Sequence, residues 1–293
     1  MTLRFTVLAS GSRGNATLIQ AGGFGVLIDA GLPATELGER LRQVGQSWNS
    51  VHALLLSHTH SDHWNDRSLD VLVRRQVPLY CHPDHHRILG RGSGAFAQLQ
   101  TLGLVRSYSA GDRLELATGV SAVPLPVRHD SGETFGFRLD GPGDLFGRSA
   151  SIGYVADLGC WDADLADALV DVDLLAVEFN HDVDLERGSR RPAFLVARVL
   201  GDEGHLSNDQ AAELLGAVLA RSAPGRLQHV VQLHLSEHCN RPELARQAAR
   251  RALAQQEHQV LVYTASQHTP GKPVVLEPDA RPRPRRLGSL RSQ

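Results

Sequence analysis

The sequence predicts one layered α/β domain, and three observations carry that prediction. Short apolar runs bounded by glycines recur in both halves of the chain. Segments with helical spacing alternate with them. No internal repeat or long linker divides the chain before about Asp279. Strand-rich halves with covering helices bury best as stacked layers around a shared core.

The elements follow in order. Residues 4–10 (RFTVLAS), 15–20 (NATLIQ) and 25–31 (GVLIDAG) are β-rich and broken by glycines. Residues 34–45 have helical spacing, with Leu37, Leu41 and Val44 on one face and a terminal glycine. Residues 52–58 (HALLLSH) form a short apolar strand that ends in a histidine. A helix over 68–76 and a strand over 77–82 come next. Strands are expected at 119–129, 134–139 and 150–157, a helix at 161–170, and a strand at 172–180. Helices at 207–222 and 241–256 alternate with strands at 229–236 and 259–265. Ser207 can cap the first of these helices, with Gln210 three residues on. Residues 90–96 (GRGSGAF) read as a flexible loop, because no strand–GxGxxG–helix context supports a nucleotide fingerprint. His85 and His86 in CHPDHH read as surface histidines on different helical sides.

At about 150 residues per domain, the 293 residues permit one large domain or two small ones. The continuous pattern favours one domain over 1–278. Residues 279–293 form a Pro/Arg-rich tail that reads as disordered. The hydrophobic content of 42% marks a globular body. No apolar run reaches the ~18 residues of a membrane span. The first ten residues lack the parts of a secretion signal. Cys81, Cys160 and Cys239 are widely spaced and odd in number, so no disulfide framework follows. These features predict a cytoplasmic protein without a membrane partner. The net charge of −2 does not advertise a nucleic-acid binder. Without the five arginines of residues 280–293 it becomes −7, so any basic groove must be local.

Histidine is the unusual item, with fifteen copies. Residues 54–64 (LLLSHTHSDHW) place His58, His60, Asp62 and His63 in six positions directly after an apolar strand. Neutral imidazoles and carboxylates suit zinc, manganese or iron. A strand alternates its side chains, but a loop at its end can turn several into one cavity. A polar surface loop would be the ordinary explanation, yet residue type, spacing and strand context all point to a metal site.

Placed after LIDAG and a strand, this motif resembles the metallo-β-lactamase fold superfamily. The resemblance implies an αββα sandwich with a dinuclear metal site at one edge of the sheets. Further marks match one at a time. His129 follows a strand in VPLPVRHD, Asp157 ends IGYVAD, and His234 ends VVQLH. Asp29 in LIDAG matches the superfamily's supporting aspartate. LASGSRGNATLI, EFNHDVDLERG, GHLSNDQAAELL and LHLSEHCN narrow the resemblance to the YycJ/WalJ branch of probable DNA exonucleases and related hydrolases. Phe179, His238 and Cys239 depart from that branch's usual residues. The chain has no room for the large inserted domain of the RNA-processing nucleases.

The resemblance implies roles residue by residue. His58, His60 and His129 would hold one metal ion, and Asp62, His63 and His234 a second. Asp157 would bridge them. Two divalent ions are implied, zinc first, with manganese or iron as alternatives. Such a site lowers the pKa of water from about 15.7 to near 7 and so provides hydroxide for hydrolysis. Asp62 therefore counts among the catalytic groups as well as the ligands. His205, before a capped helix, could protonate a leaving oxygen, and Glu178 could orient it. His181, Ser12 and Asn15 are candidates for substrate contact. His60 stands where the superfamily's redox branch carries glutamate, which favours hydrolysis.

The expected function is a metal-dependent hydrolase acting on phosphodiesters as a nuclease, with a DNA exonuclease as the sharpest version. Its partner would be nucleic acid or another phosphodiester. The alternatives are a small ester, thioester, lactone or cyclic-phosphate hydrolase, and a non-enzymatic metal-binding regulatory protein.

Overall fold

The computed structural model describes residues 2–143 and 148–277. The tail at 279–293 therefore lies outside the described residues. The first half comprises β1 (Leu3–Ala9), β2 (Ala16–Ala21), β3 (Phe24–Ile28), α1 (Ala34–Gln43), β4 (Ala53–Leu55), α2 (Asp66–Arg75), β5 (Leu79–Cys81), α3 (His85–Gly92), α4 (Gly94–Thr101) and β6 (Val105–Ser107). The second half adds β7 (Leu114–Ala117), β8 (Val120–Val127), β9 (Thr134–Asp140), β10 (Ser151–Val155), α5 (Ala163–Ala168) and β11 (Leu174–Glu178). It continues with α6 (Val183–Arg187), α7 (Ala193–Leu200), α8 (Asn208–Arg221), β12 (His229–Leu233), α9 (Pro242–Ala252), β13 (Leu261–Thr264) and β14 (Val274–Leu276).

These strands build two seven-stranded sheets, ordered β14-β1-β2-β3-β4-β5-β6 and β13-β12-β11-β10-β9-β8-β7. In the first, β3 to β6 run parallel. In the second, β10 to β13 run parallel. Strand β8 reaches β10 through two antiparallel pairings, so it points the same way as β10.

Three buried apolar clusters correspond to three layer interfaces. Between the sheets lie Phe5, Ile19, Ile28, Leu55, Phe135, Phe137, Ile152 and Leu174. The outer face of the first sheet buries Leu27, Leu54 and Leu56 against Leu37, Leu41, Leu69, Leu72 and Phe96 of its helices. The outer face of the second buries Val155, Leu175 and Val177 against Leu165, Leu214, Leu215 and Ala248. Both faces of the central strands are covered, which is why they read as unbroken apolar runs rather than alternating ones. The result is the αββα sandwich.

Two sequence expectations are corrected. Residues 90–96 are not a loop: Gly90–Gly92 end α3, and Gly94–Phe96 open α4. Ser93 sits between the helices and accepts a hydrogen bond from the Phe96 amide, an N-cap that overrides the glycine content. His85 is not on the surface. It is buried, with Nε2 2.7 Å from the Glu133 carbonyl. Elsewhere, Ser207 and Gln210 form the expected capping box of α8.

Candidate metal centre

The parallel strands deliver their C-terminal ends to one edge of the sandwich. His58, His60, Asp62 and His63 follow β4, His129 follows β8, Asp157 follows β10, and His234 follows β12. Asp29, Asp157 and His234 have positive φ values of 61°, 56° and 52°. A non-glycine residue in the left-handed region costs on the order of 1 kcal/mol and is uncommon. Each of these three follows a strand, where the left-handed turn breaks the alternation: Asp157 and His234 join the ligand groups, and Asp29 meets Ser57 and His63 Nδ1 behind them.

Potential ligand atoms gather as two triads. His58, His60 and His129 form one, and Asp62, His63 and His234 the other, with each set lying within 4.8 Å. Asp157 joins both regions. Its Oδ2 is 2.9 Å from His63 Nε2, and its Oδ1 is 3.4 Å from His234 Nε2. It also groups with His58 and His63.

Surrounding contacts fix which ring nitrogen is free. Asp29, fully buried, accepts hydrogen bonds from the Ser57 amide at 2.8 Å and the Ser57 hydroxyl at 2.8 Å. Its Oδ2 also lies 2.7 Å from His63 Nδ1, so that nitrogen donates and Nε2 faces the cavity. His129 Nδ1 donates to the Gly204 carbonyl at 2.9 Å, which frees its Nε2 in the same way. Ligating histidines are oriented by such outer contacts. The loop is also held from behind. The Asn15 amide N–H donates to the Asp62 carbonyl at 2.7 Å, and a Cβ on Gly31 would stand 1.7 Å from that same oxygen.

The donor set fits divalent metal. His58 Nε2 and His234 Nε2 are buried with no hydrogen-bond partner among the described residues, and Asp157 Oδ2 meets the His63 ring at 2.9 Å. Interiors rarely leave such atoms unsatisfied, and nitrogen and carboxylate donors converging on common points are what a cation would satisfy. Electrostatics agrees. Burial, then His63, pushes His58 well below its usual value, and burial, then His129, lowers His60. Neutral imidazole is the ligating form. For His63 and His234 burial works the same way but is outweighed, by Asp29 and Asp157 for the former and by Asp157, Asp62 and Glu178 for the latter.

Glu178 and His205 form a pair beside the triads. His205 Nδ1 donates to Glu178 Oε1 at 2.8 Å, while Glu178 Oε2 accepts from the Leu158 and Leu206 amides at 3.1 and 3.2 Å. Burial raises the Glu178 carboxyl, but His205 and His234 outweigh it and hold it at about 2. The His205 side chain keeps 18% exposure.

The remaining predicted residues are placed differently. Asn15 is buried, and its side-chain amide lies 3.2 Å from Asp62 Oδ2 and 3.0 Å from His63 Nε2. Its contacts are with the candidate ligands themselves. Ser12 is exposed at the tip of the same loop. His181 is 1% exposed, and neither of its ring nitrogens has a partner among the described residues.

Sequence reasoning missed several neighbours. Ser57 links Asp29 to His58 and His63. Asn180 lies 3.0 Å from His234 Nδ1. Asp130 lies 3.4 Å from His60 Nε2 and pairs with Arg198 of α7. Ser57 and Asp130 each adjoin a predicted ligand in sequence, which was the available signal. Arg198 gave none.

This edge site on an αββα sandwich is that of a metallo-hydrolase fold, and the chain belongs to the beta-lactamase superfamily. The family profile described as "Beta-lactamase superfamily domain" matches residues 25–224. Among curated proteins, the chain is similar to "Exodeoxyribonuclease YycJ" of Bacillus anthracis, with 28% identity over 254 residues, 86% of this chain and 90% of that one. It is likewise similar to "Exodeoxyribonuclease WalJ" of Streptococcus pneumoniae, with 28% identity, 86% of this chain and 88% of that one. Among solved structures, the metallo-beta-lactamase fold protein YhfI of Bacillus subtilis superposes with a TM-score of 0.64 at 16% identity, covering 94% of this chain and all of that one. No helix among the described residues is long and apolar enough to cross a membrane.

Proposed function

We propose that this chain is a metal-dependent phosphodiesterase that cleaves nucleic acid, with DNA as the first candidate. The observation that carries the reading is the Glu178–His205 pair set against two ligand triads that share Asp157. The names of the YycJ and WalJ relatives support the choice of DNA.

Seven residues would hold two divalent ions: His58, His60 and His129 for one, Asp62, His63 and His234 for the other, and Asp157 between them. The nitrogen-rich set suits zinc, with manganese or iron as alternatives. Ions bound there supply Lewis acidity that makes hydroxide available near neutral pH and offsets phosphate charge.

The chain's own groups supply the rest. Glu178 holds the His205 proton on Nδ1 and orients the ring. His205 Nε2 is then free to pass a proton to the departing alkoxide, a poor leaving group unless protonated. The Asn15 side-chain amide contacts the Asp62 carboxylate and His63 Nε2, and so holds both candidate ligands in place. His181 is a buried imidazole near Glu178, with neither ring nitrogen hydrogen-bonded among the described residues.

The test is elemental analysis of the purified protein, followed by assay of that sample on single- and double-stranded DNA, RNA and bis-p-nitrophenyl phosphate. Chelator-sensitive DNA cleavage is expected. A metal-loaded protein active on thioesters or lactones and inert on every phosphodiester overturns the reading.

A further inference from the structure

Helix α7 is unusual for a surface element. Its sequence, AFLVARVL, is largely apolar, yet Phe194 is 76% exposed, the most exposed large hydrophobic side chain among the described residues. The helix also touches the candidate metal centre. Arg198 is paired through Nε and NH2 with Asp130, whose Oδ1 lies 3.4 Å from His60 Nε2 and 3.7 Å from His129 Nε2. The Asp130 hydrogen bond is the main support for the Arg198 charge, and Asp62 adds to it, so the guanidinium lies within the field of the site.

Phe194 and Arg198 are four residues apart on one helix. They therefore share a face, about 6 Å apart along the axis. An aromatic ring and a cation in that relation meet the two parts of a nucleotide, its base and its phosphate. Leading into the helix, Arg187 and Arg190 are exposed and make no ion pair with any described residue. Arg191, by contrast, is bound to the buried Glu186 at 3.0 and 3.1 Å and reaches Ser236 at 3.4 Å. The buried Glu186 carboxylate thus anchors the residue two positions before α7, while the Arg198–Asp130 pair ties the helix's last turn to the site.

We propose that α7 is the strand-recognition element: Phe194 stacks a nucleobase of an unpaired strand, while Arg198, Arg190 and Arg187 take its phosphates on the way to the metal centre. This rests on the phosphodiesterase reading and sharpens it to single-stranded nucleic acid or a frayed duplex end. A paired base offers no free face to a side chain, whereas a single strand stacks on aromatic residues regardless of sequence. Arg187 and Arg190 supply the charge complementarity that the near-neutral chain lacks overall.

The experiment compares full-length wild type with Phe194→Ala and Phe194→Trp on a short single-stranded oligonucleotide and on bis-p-nitrophenyl phosphate. For Phe194→Ala, the ratio of kcat/KM on the oligonucleotide to that on the small substrate should fall between about 5- and 150-fold, the range expected when one base loses its aromatic stacking partner. The Trp variant should restore it. The double variant Arg187→Gln, Arg190→Gln should flatten the log–log salt dependence of oligonucleotide binding by about 0.7 for each phosphate no longer neutralised. An unchanged ratio in Phe194→Ala overturns the proposal. So does a loss of self-association in that variant with the ratio intact, which would make the face a contact between copies. Failure of the wild type on both substrates sinks the phosphodiesterase reading instead, so the two failures are distinguishable.

Discussion

At the residue scale, the site depends on side chains whose free atoms are set by their other contacts. His63 can offer Nε2 because Asp29 takes Nδ1, and His205 can offer a proton at Nε2 because Glu178 takes Nδ1. The second relation yields a prediction. His205→Ala should lower kcat on DNA by roughly 10²–10⁴ while the metal content stays at the wild-type level. The loss should shrink on bis-p-nitrophenyl phosphate, whose leaving group needs little protonation. Equal losses on both substrates would make His205 a positioning residue. The ligand candidates themselves were legible in the sequence because His58, His60, Asp62 and His63 are crowded into one loop. Asp130 with Arg198 was not, because that pair spans 68 residues and exists only once α7 is folded.

At the element scale, one glycine decides whether the ligand loop can sit where it does. A Cβ at Gly31 would meet the Asp62 carbonyl oxygen at 1.7 Å and its carbon at 2.3 Å, and neither backbone atom can swing away. Gly31→Ala should therefore cost about 3 kcal/mol or more and weaken metal retention. Gly216 in α8 has open space at the same position, so Gly216→Ala serves as the control and should be neutral or slightly stabilising. Denaturant melts with metal analysis would check both, and similar behaviour of the two variants would contradict the packing account.

The correction at α3 carries a pH prediction. Burial holds His85 down at about 4, against an ordinary 6.5. The unfolded chain then binds the extra proton first as pH falls. Stability from this group is full above about 6.5, declines between there and about 4, and levels off below, for a total of about 3 kcal/mol. Metal-stripped wild type should lose stability more steeply over that window than metal-stripped His85→Gln, and parallel curves would refute the assignment. The sequence misled here because glycines and histidines are weak helix signals on their own. Asp66 and Ser93, 27 residues apart, pair by hydrogen bond and help to order the α3–α4 junction. The helices α6 and α7 and the edge strands β6, β7 and β14 were also missed: β6 and β7 are partly exposed and lack the buried apolar run that made the equally short β4 legible.

At the scale of the whole molecule, each ligand triad takes residues from both sheets. His58 and His60 follow a strand of the first sheet and His129 one of the second. Asp62 and His63 likewise meet His234. Metal binding should therefore act as a clamp across the sandwich. An ion present at a thousandfold its Kd adds about 4 kcal/mol. Chelation should lower Tm by on the order of 10 °C, with re-addition of metal restoring it. An unchanged Tm after verified metal removal would mean that the triads do not share ions between the sheets. The layered fold was legible because its central strands are buried on both faces and read as apolar runs.

The central claim is that seven named side chains hold two ions at this edge. Anomalous scattering from a crystal of the full chain, collected at the absorption edge of the metal found by elemental analysis, tests it most directly. Two peaks are predicted: one among His58, His60 and His129, the other among Asp62, His63 and His234, both in contact with Asp157. A metal-loaded, active protein with a single peak, or with peaks bound by other residues, would contradict it.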